Sequence, residues 1–386
     1  MEPFSKRLLQ QNNNQMKKIA VIGASYLQLP LVRKAKEMGL EVHCFAWEEG
    51  AVCKNDADFF YPISIIEKER ILEICQKVGV DGICTIASDV AAPTVAYVAQ
   101  KMELTSNTYH SAVVANNKFL MRQAFSEFGV LCPRFSTISS AEDIECIEWR
   151  FPIIVKPTDR SGSLGVNLVN SKKDLYEAVQ IALDVSLEHK AIVEEFIEGR
   201  EISVEFISFR GKHYPLTITD KITTGAPHFV ELEHHQPAYL AYDLYRTIYS
   251  LNDKALSSLG ITNGASHAEY KITSSGDIFI IEIGGRMGGD FIGSDLVQLS
   301  TGYDFLKGVI NVALGQFEKP VVKNEHHSGV YFLCKETERI LPVMEHSEKY
   351  PEIVECRIQN MDLKDVLSSK DRSGYVIYQS DKKWII

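Results

Sequence analysis

The chain of 386 residues has no apolar run near the roughly 18 residues that a membrane-spanning helix needs. Nor does any block of Lys and Arg interrupt its formal net charge of -10, which argues against a nucleic-acid partner. Its eight cysteines (44, 53, 75, 84, 132, 146, 334 and 356) include no Cys-x-x-Cys pair, so they read as reduced thiols of a cytoplasmic protein. The opening stretch, MEPFSKRLLQQNNNQMKK, has no apolar h-region, and residues 1–17 read as a flexible leader rather than a signal peptide or anchor. The remainder, 45% hydrophobic and 24% charged overall, suits a globular protein of two or three domains.

Residues 18–106 alternate in character. KIAVIG, EVHCFAW and DGICTIAS read as buried strands, separated by helical LPLVRKAKEMGL and EKERILEICQKVGV. Strand–helix–strand order predicts a parallel α/β sheet, a Rossmann-like N-terminal domain. The first turn, GASYLQ, lacks the second and third glycines of a dinucleotide fingerprint, so no dinucleotide is expected. Helical NNKFLMRQAFSEFG follows. From about residue 151, short strands separated by turns, with helices at 172–184 and 244–259, predict an α+β domain over 107–315. GVYFLC, VECRI and GYVIYQS predict a small β-rich C-terminal cap over 316–386.

ASHAEYKITSSGDIFIIEIGG (265–285) reads as a hairpin turning at Ser275-Gly276. That register sets Glu269 opposite Glu282, with His267 and Lys271 on the same face. Ala268, Tyr270, Ile272, Phe279, Ile281 and Ile283 then fill the core face. Opposed like charges destabilise a hairpin, and a hard divalent cation held by both carboxylates would compensate. A slipped register, or screening by Lys271 and solvent, is the alternative.

VKPTDRSGSLGVNLV places Lys156 at a strand end before a loop containing Ser161, Gly162, Ser163 and Gly165. Exposed backbone N–H groups beside a lysine suit a phosphate, although taken alone these residues read more readily as a ligand-free glycine-rich turn. In VEEFIEGREISVEF, Glu194, Glu195 and Ile197 lie on a strand that could offer its backbone to an adenine edge, and Glu201 follows; surface charge is the alternative.

Taken in order, Lys118, Lys156, the Gly/Ser loop, Glu-Glu-Phe-Ile-x-Gly and the glutamate pair before Arg286 resemble the ATP-grasp superfamily, in its carboxylate–amine ligase form, which includes the L-amino-acid ligases and carbamoyl-phosphate synthetase-like members. The resemblance implies a central ATP-grasp domain in a mixed α/β and α+β chain. It implies that Lys118, Lys156 and residues 161–165 meet ATP phosphates. Glu194, Glu195 and Ile197 would lie at the base, and Glu201 at the ribose. Glu269 and Glu282 would hold magnesium, or manganese in its place, and Arg286 would steady an acyl phosphate with Lys221 as a second catalytic cation. One departure is Gly284, standing where many members carry a metal-binding asparagine, which leaves a second ion open. The flanking glycines permit close approach to Arg286, whose alternative is a pair with Asp290 or a nearby acid.

TDKITTGAPHFVELEHHQP resembles the substrate loop of that subgroup, with Lys221, His228, Glu231 and His235, and with His267 nearby, as substrate groups. No zinc spacing supports a metal there. The activity implied is ADP-forming ligation of a small-molecule carboxylate to an amine, with a homodimer left open. A carboxylating or formyl-transferring enzyme like those of purine metabolism, or a nucleotide-binding regulatory protein without turnover, are the alternatives.

Overall fold

The computed structural model describes residues 16–145, 150–323 and 325–386. The leader reading therefore falls almost wholly outside the described residues, as does Cys146. The seven described cysteines are all free thiols. Among the described residues no helix is long and apolar enough to cross a membrane.

The first sheet is parallel, with β1 (Lys18–Ile22), β2 (Glu41–Ala46), β3 (Phe59–Pro62) and β4 (Gly82–Cys84) in the order β3-β2-β1-β4. Helices α1 (Leu29–Glu37), α2 (Lys68–Val78) and α3 (Ala92–Lys101) link and cover the strands. Helix α2 stops where Gly79 takes φ 71°, a left-handed cap conformation that glycine adopts at little cost. Strand β3 escaped the sequence reading because it is an edge strand. Its four residues are only partly covered, and Pro62 ends it, so it carries no buried apolar run.

Helices α4 (Tyr109–Asn116) and α5 (Lys118–Glu127) lead into a smaller antiparallel sheet. This sheet has β5 (Phe135–Ile138), β6 (Ile153–Pro157), β7 (Asn167–Val169) and β8 (Ala191–Glu195) in the order β5-β8-β6-β7. Helix α6 (Ala141–Glu145) is short, whereas α7 (Lys172–Val185) packs Leu175, Ala178, Val179 and Ala182 onto the sheet.

The largest sheet is antiparallel, with order β13-β12-β9-β10-β11-β14-β16-β15. Its strands are β9 (Arg200–Phe209), β10 (Lys212–Thr223), β11 (Glu231–Gln236), β12 (Gly264–Ile272), β13 (Ile278–Gly284), β14 (His327–Leu333), β15 (Ile353–Ile358) and β16 (Gly374–Ser380). The C-terminal segment is β-rich as expected, and its three strands extend this sheet. On one face Ile202, Val204, Phe206, Ala268 and Tyr270 bury against α5 and α8 (Tyr242–Ser258). The opposite face is split. Ile207, Leu216 and Ala265 pack with residues of the parallel sheet and its helix α1 and with Phe305–Ala313, while Ser203, Glu205, His267 and Glu269 form a polar field further along β9 and β12.

The β12–β13 hairpin pairs Glu269 with Glu282, as the sequence predicts, but by a different route. The loop spans 273–277 rather than two residues, because Ile272 pairs with Ile278 and Gly276 takes φ 90°. That one-residue change flips β13 near the turn, so Ile278 and Ile280 enter the core in place of the expected Phe279 and Ile281. A bulge at Ile281 then restores the register at Glu282. The Ile281 carbonyl accepts a hydrogen bond from Arg122 Nη2 at 2.5 Å.

Candidate active site

Three elements deliver lysines to one cleft between the two antiparallel sheets. Helix α5 begins there because Asn117 caps it, its side chain accepting from the backbone N–H groups of Phe119 and Leu120 at 3.1 Å. The Lys118 N–H donates to the Thr158 carbonyl at 2.7 Å, tying the helix start to the end of β6. Lys118 Nζ donates to the Arg160 carbonyl at 2.5 Å and to Glu282 Oε1 at 3.0 Å.

Lys156 lies deeper. Its Nζ is 2.7 Å from Glu194 Oε2, while Arg122 Nε stands 2.9 Å from Glu194 Oε1. All three side chains are buried. Burial pulls the Lys156 ammonium below its usual range, and the Glu194 charge opposes that shift. Glu194 itself stays below the usual carboxylate range because Arg122 and Lys156 outweigh the cost of burial. Its carboxylate is thus committed to two cations. Strand β8 is an interior strand whose backbone is paired with β5 and β6 as far as Glu195, so the stretch expected to meet a base lies past this pairing only from Phe196 onward. If either cation is removed, the other still faces the buried carboxylate.

The third cation is Lys221 on β10, within 2.5 Å of Glu269, 3.1 Å of Glu201 and 3.7 Å of Glu231. Although burial disfavours its charge, these carboxylates raise its pKa well above the lysine range. His267 Nδ1 sits 2.5 Å from Glu205 Oε1, and Nε2 lies 3.4 Å from Glu269 Oε1. Burial works against a charged imidazole, yet the Glu205 carboxylate pushes its pKa up to about 9. The opposed glutamates are therefore compensated here by Lys221 and His267 on one side and Lys118 on the other. Arg286 closes the far end, with Nη2 2.6 Å from Asp89 Oδ2. Asp290 pairs instead with Arg372 at 2.8 Å.

Of the residues singled out from the sequence, most line this cleft. Ser161, Gly162 and Ser163 form its lip, and Glu195, Ile197 and Glu201 its inner edge. Gly165 stands beside it, packed so that a Cβ would lie 2.6 Å from Val185. His228 is exposed and off the cleft. His235 is buried elsewhere, with Nδ1 2.9 Å from the Tyr378 hydroxyl and Nε2 2.9 Å from Glu233. The reason is the two-residue period of a strand: His234, not His235, pairs with Lys221 and shares its face. Sequence reasoning also missed Arg122, Asp89, Glu205 and Arg372. Only Arg122 carried a local signal, since it follows Lys118 by four residues and so shares its side of α5.

The cleft combines a polar end with an apolar one formed by Pro133, Ile154, Val166, Phe196 and Ile281. Lys271 Nζ stands 5.5 Å from the Phe196 ring centre, at that boundary. A flat heterocycle carrying a polyanion matches this division. Among the described residues no three His, Cys, Asp or Glu side chains group to hold a metal by themselves. Two facing carboxylates nevertheless fit magnesium, which takes one or two protein carboxylates and completes its shell with phosphate oxygens and water.

Residues 149–295 match the family model described as an ATP-grasp domain. The chain is 28% identical over 272 residues to alanine–anticapsin ligase of Bacillus subtilis (strain 168), covering 61% of this chain and 57% of that protein. It thus spans little more than half the length of that curated relative. Among solved structures, an L-amino acid ligase from Bacillus licheniformis superposes with a TM-score of 0.78 at 22% identity, covering 95% of this chain and 94% of that one. Phosphoribosylglycinamide synthetase from Anaerococcus prevotii gives a TM-score of 0.75 at 20% identity, with 95% of each chain covered. At these identities the superpositions establish the fold.

Proposed function

We propose, taking residues 149–295 as an ATP-grasp domain, that this chain is an ADP-forming ligase joining a small-molecule carboxylate to an amine. The observation that carries the reading is the convergence of Lys118, Lys156, Lys221 and Arg286 with the opposed Glu269 and Glu282 in one cleft. Division of the chain at about residues 106 and 315 belongs to the same reading.

In this reading the apolar end holds adenine and Glu201 meets the ribose. Lys118 and Lys156 contact phosphates, with residues 161–163 lying over them. Glu269 and Glu282 hold magnesium, which supplies positive charge to the phosphate oxygens when bound. Lys118 and Lys221, which neutralise those glutamates in the absence of ligands, are then free to turn towards phosphate. ATP phosphorylates the carboxylate, and the amine displaces phosphate from the acyl phosphate to form the amide. Arg286 offers a planar fork of donors to the acyl phosphate oxygens. The protein contributes position and fixed charge rather than covalent chemistry.

Incubation with ATP, magnesium and a matrix of amino acids tests the reaction class. ADP and phosphate are expected in equal amounts, together with an amide product. AMP and pyrophosphate as stoichiometric products would overturn the assignment.

Lys156→Met tests the phosphate site. The aliphatic stem fits the same place, and Arg122 still neutralises Glu194, so the variant remains folded. Calorimetry is expected to show weaker ATP binding, by about 1.5–3 kcal/mol for a lost charge-assisted bond. Unchanged affinity would move the phosphates away from β6.

A further inference from the structure

The turn after β4 brings the N-terminal parallel sheet to Arg286, which lines the cleft. After β4, Ile86 forms a parallel bridge with Met287, and the Ala87 N–H donates to the Met287 carbonyl at 3.1 Å. Gln28, at the start of α1, fixes the same turn through Nε2 to the Ile86 carbonyl at 2.7 Å. The turn thereby carries Asp89 to Arg286, a residue 197 positions away in sequence.

Asp89 is the strong anchor of that guanidinium. Burial alone would raise its carboxyl, but the Arg286 charge holds it below the usual range. The other contacts of Arg286 are weak: Nη1 reaches the Met287 carbonyl at 3.4 Å, and buried Nε has no hydrogen-bond partner. Gly284 supplies the space. Its φ lies outside the left-handed region, so the backbone does not demand glycine. A Cβ there would, however, stand 2.7 Å from Asp89 Oδ1 and 2.9 Å from Arg286 Cζ. Both are far ends of flexible side chains, so a larger residue would displace the pair rather than break the strand.

We propose that Asp89 is a positioning residue that aims the Arg286 guanidinium into the cleft, and that residue 284 is glycine because this pair fills the place of its side chain. The departure from the usual asparagine is then coupled to a carboxylate supplied by another domain. A free arginine side chain samples many rotamers, a freedom that a charge-assisted bond at one Nη suppresses before a ligand arrives. The consequence for turnover rests on the ligase reading; the positional claim does not.

The test compares Asp89→Asn and Gly284→Ala, each alone and in an Arg286→Lys background. Asp89→Asn keeps the shape and removes the charge. A misplaced catalytic group typically costs on the order of 10²-fold, so kcat is expected to fall by about 10- to 100-fold. ADP affinity should stay at the parental value while the thermal midpoint falls with the broken buried pair, whereas a purely structural clasp would lose ADP affinity together with turnover. Gly284→Ala is expected to act in the same direction. Neither change should lower activity further once Arg286 is lysine. Retained turnover in Asp89→Asn, or full additivity with Arg286→Lys, overturns the proposal. If the parent chain makes no amide from any acid and amine, the ligase reading fails separately. A crystal structure of the D89N chain with ADP then decides the positional claim: a displaced guanidinium supports it, and an unmoved one refutes it.

Discussion

Glu282→Gln is expected to abolish most ATP-dependent turnover, by about 10²–10³-fold, which is the scale seen when one preorganised electrostatic group is removed. The fold survives the change. Glu282 lies at the partly exposed bulge of β13, and the amide oxygen that replaces a carboxylate oxygen still accepts from Lys118, now 3.0 Å away. What disappears is one of the two negative charges that face each other across the hairpin. With Glu269 alone, a divalent ion is held less tightly, so part of the lost activity should return as magnesium is raised. Steady-state rates across a magnesium series, with the thermal midpoint of the same samples, check this. Near-parental activity at every concentration would make Glu282 an ordinary acid paired with Lys118, and the proposed metal site would be wrong.

Lys221→Met is expected to cost about 3–5 kcal/mol of stability at neutral pH, the range for removing one partner of a buried ion pair. Three carboxylates, Glu201, Glu231 and Glu269, converge on this one ammonium. Their balance is already tight: Glu231 is raised above the carboxylate range, chiefly by burial, despite Lys221 and Arg372. Glu269 behaves oppositely. Burial would raise it, but Lys221 and His267 hold it well below its ordinary value. A depressed folded pKa gives stability that is present above the unfolded value and is lost as pH falls through the folded one. Deleting Lys221 removes much of that contribution, so the gap between parent and variant should be widest near neutrality. It should close as pH falls below about 4, the ordinary carboxylate range. The raised pKa of Lys221 keeps its own contribution intact through the ordinary lysine range, so no narrowing is expected on the alkaline side before about pH 10. Urea denaturation from pH 3 to 10 measures both limbs. A gap that stays constant down to pH 3 would assign the loss to packing rather than charge.

Local chemistry made much of this protein legible from its residues. Alternation about a Ser-Ser-Gly-Asp turn was sufficient to foretell the hairpin, whereas the opposition of Glu269 and Glu282 also needed a bulge at Ile281 to offset the longer loop. An apolar run ending in Lys156 before a Gly/Ser loop was sufficient to place a cation at a strand end. Strand–helix alternation was sufficient to predict the parallel sheet of the first domain. In each case the informative residues lie within about one element of one another.

What the residues did not disclose depends on register and on distance. His235 was expected in the site, but alternation along β11 turns it to the face opposite Lys221. Phe279 and Ile281 exchanged places with Ile278 and Ile280 for the same reason, through a longer loop and a compensating bulge. Glu194 read as a partner for a base, and the structure sets Arg122 of α5 and Lys156 of the paired strand β6 on its two oxygens. Asp89 carried no signal, since its meaning lies in Arg286 on another domain and in the space left at Gly284. The sequence by itself determined which charges this protein owns and which strands carry them. Only the tertiary structure decided which charges neutralise which, because an ion pair acts over a few ångströms and chain order does not say which distant segments come that close.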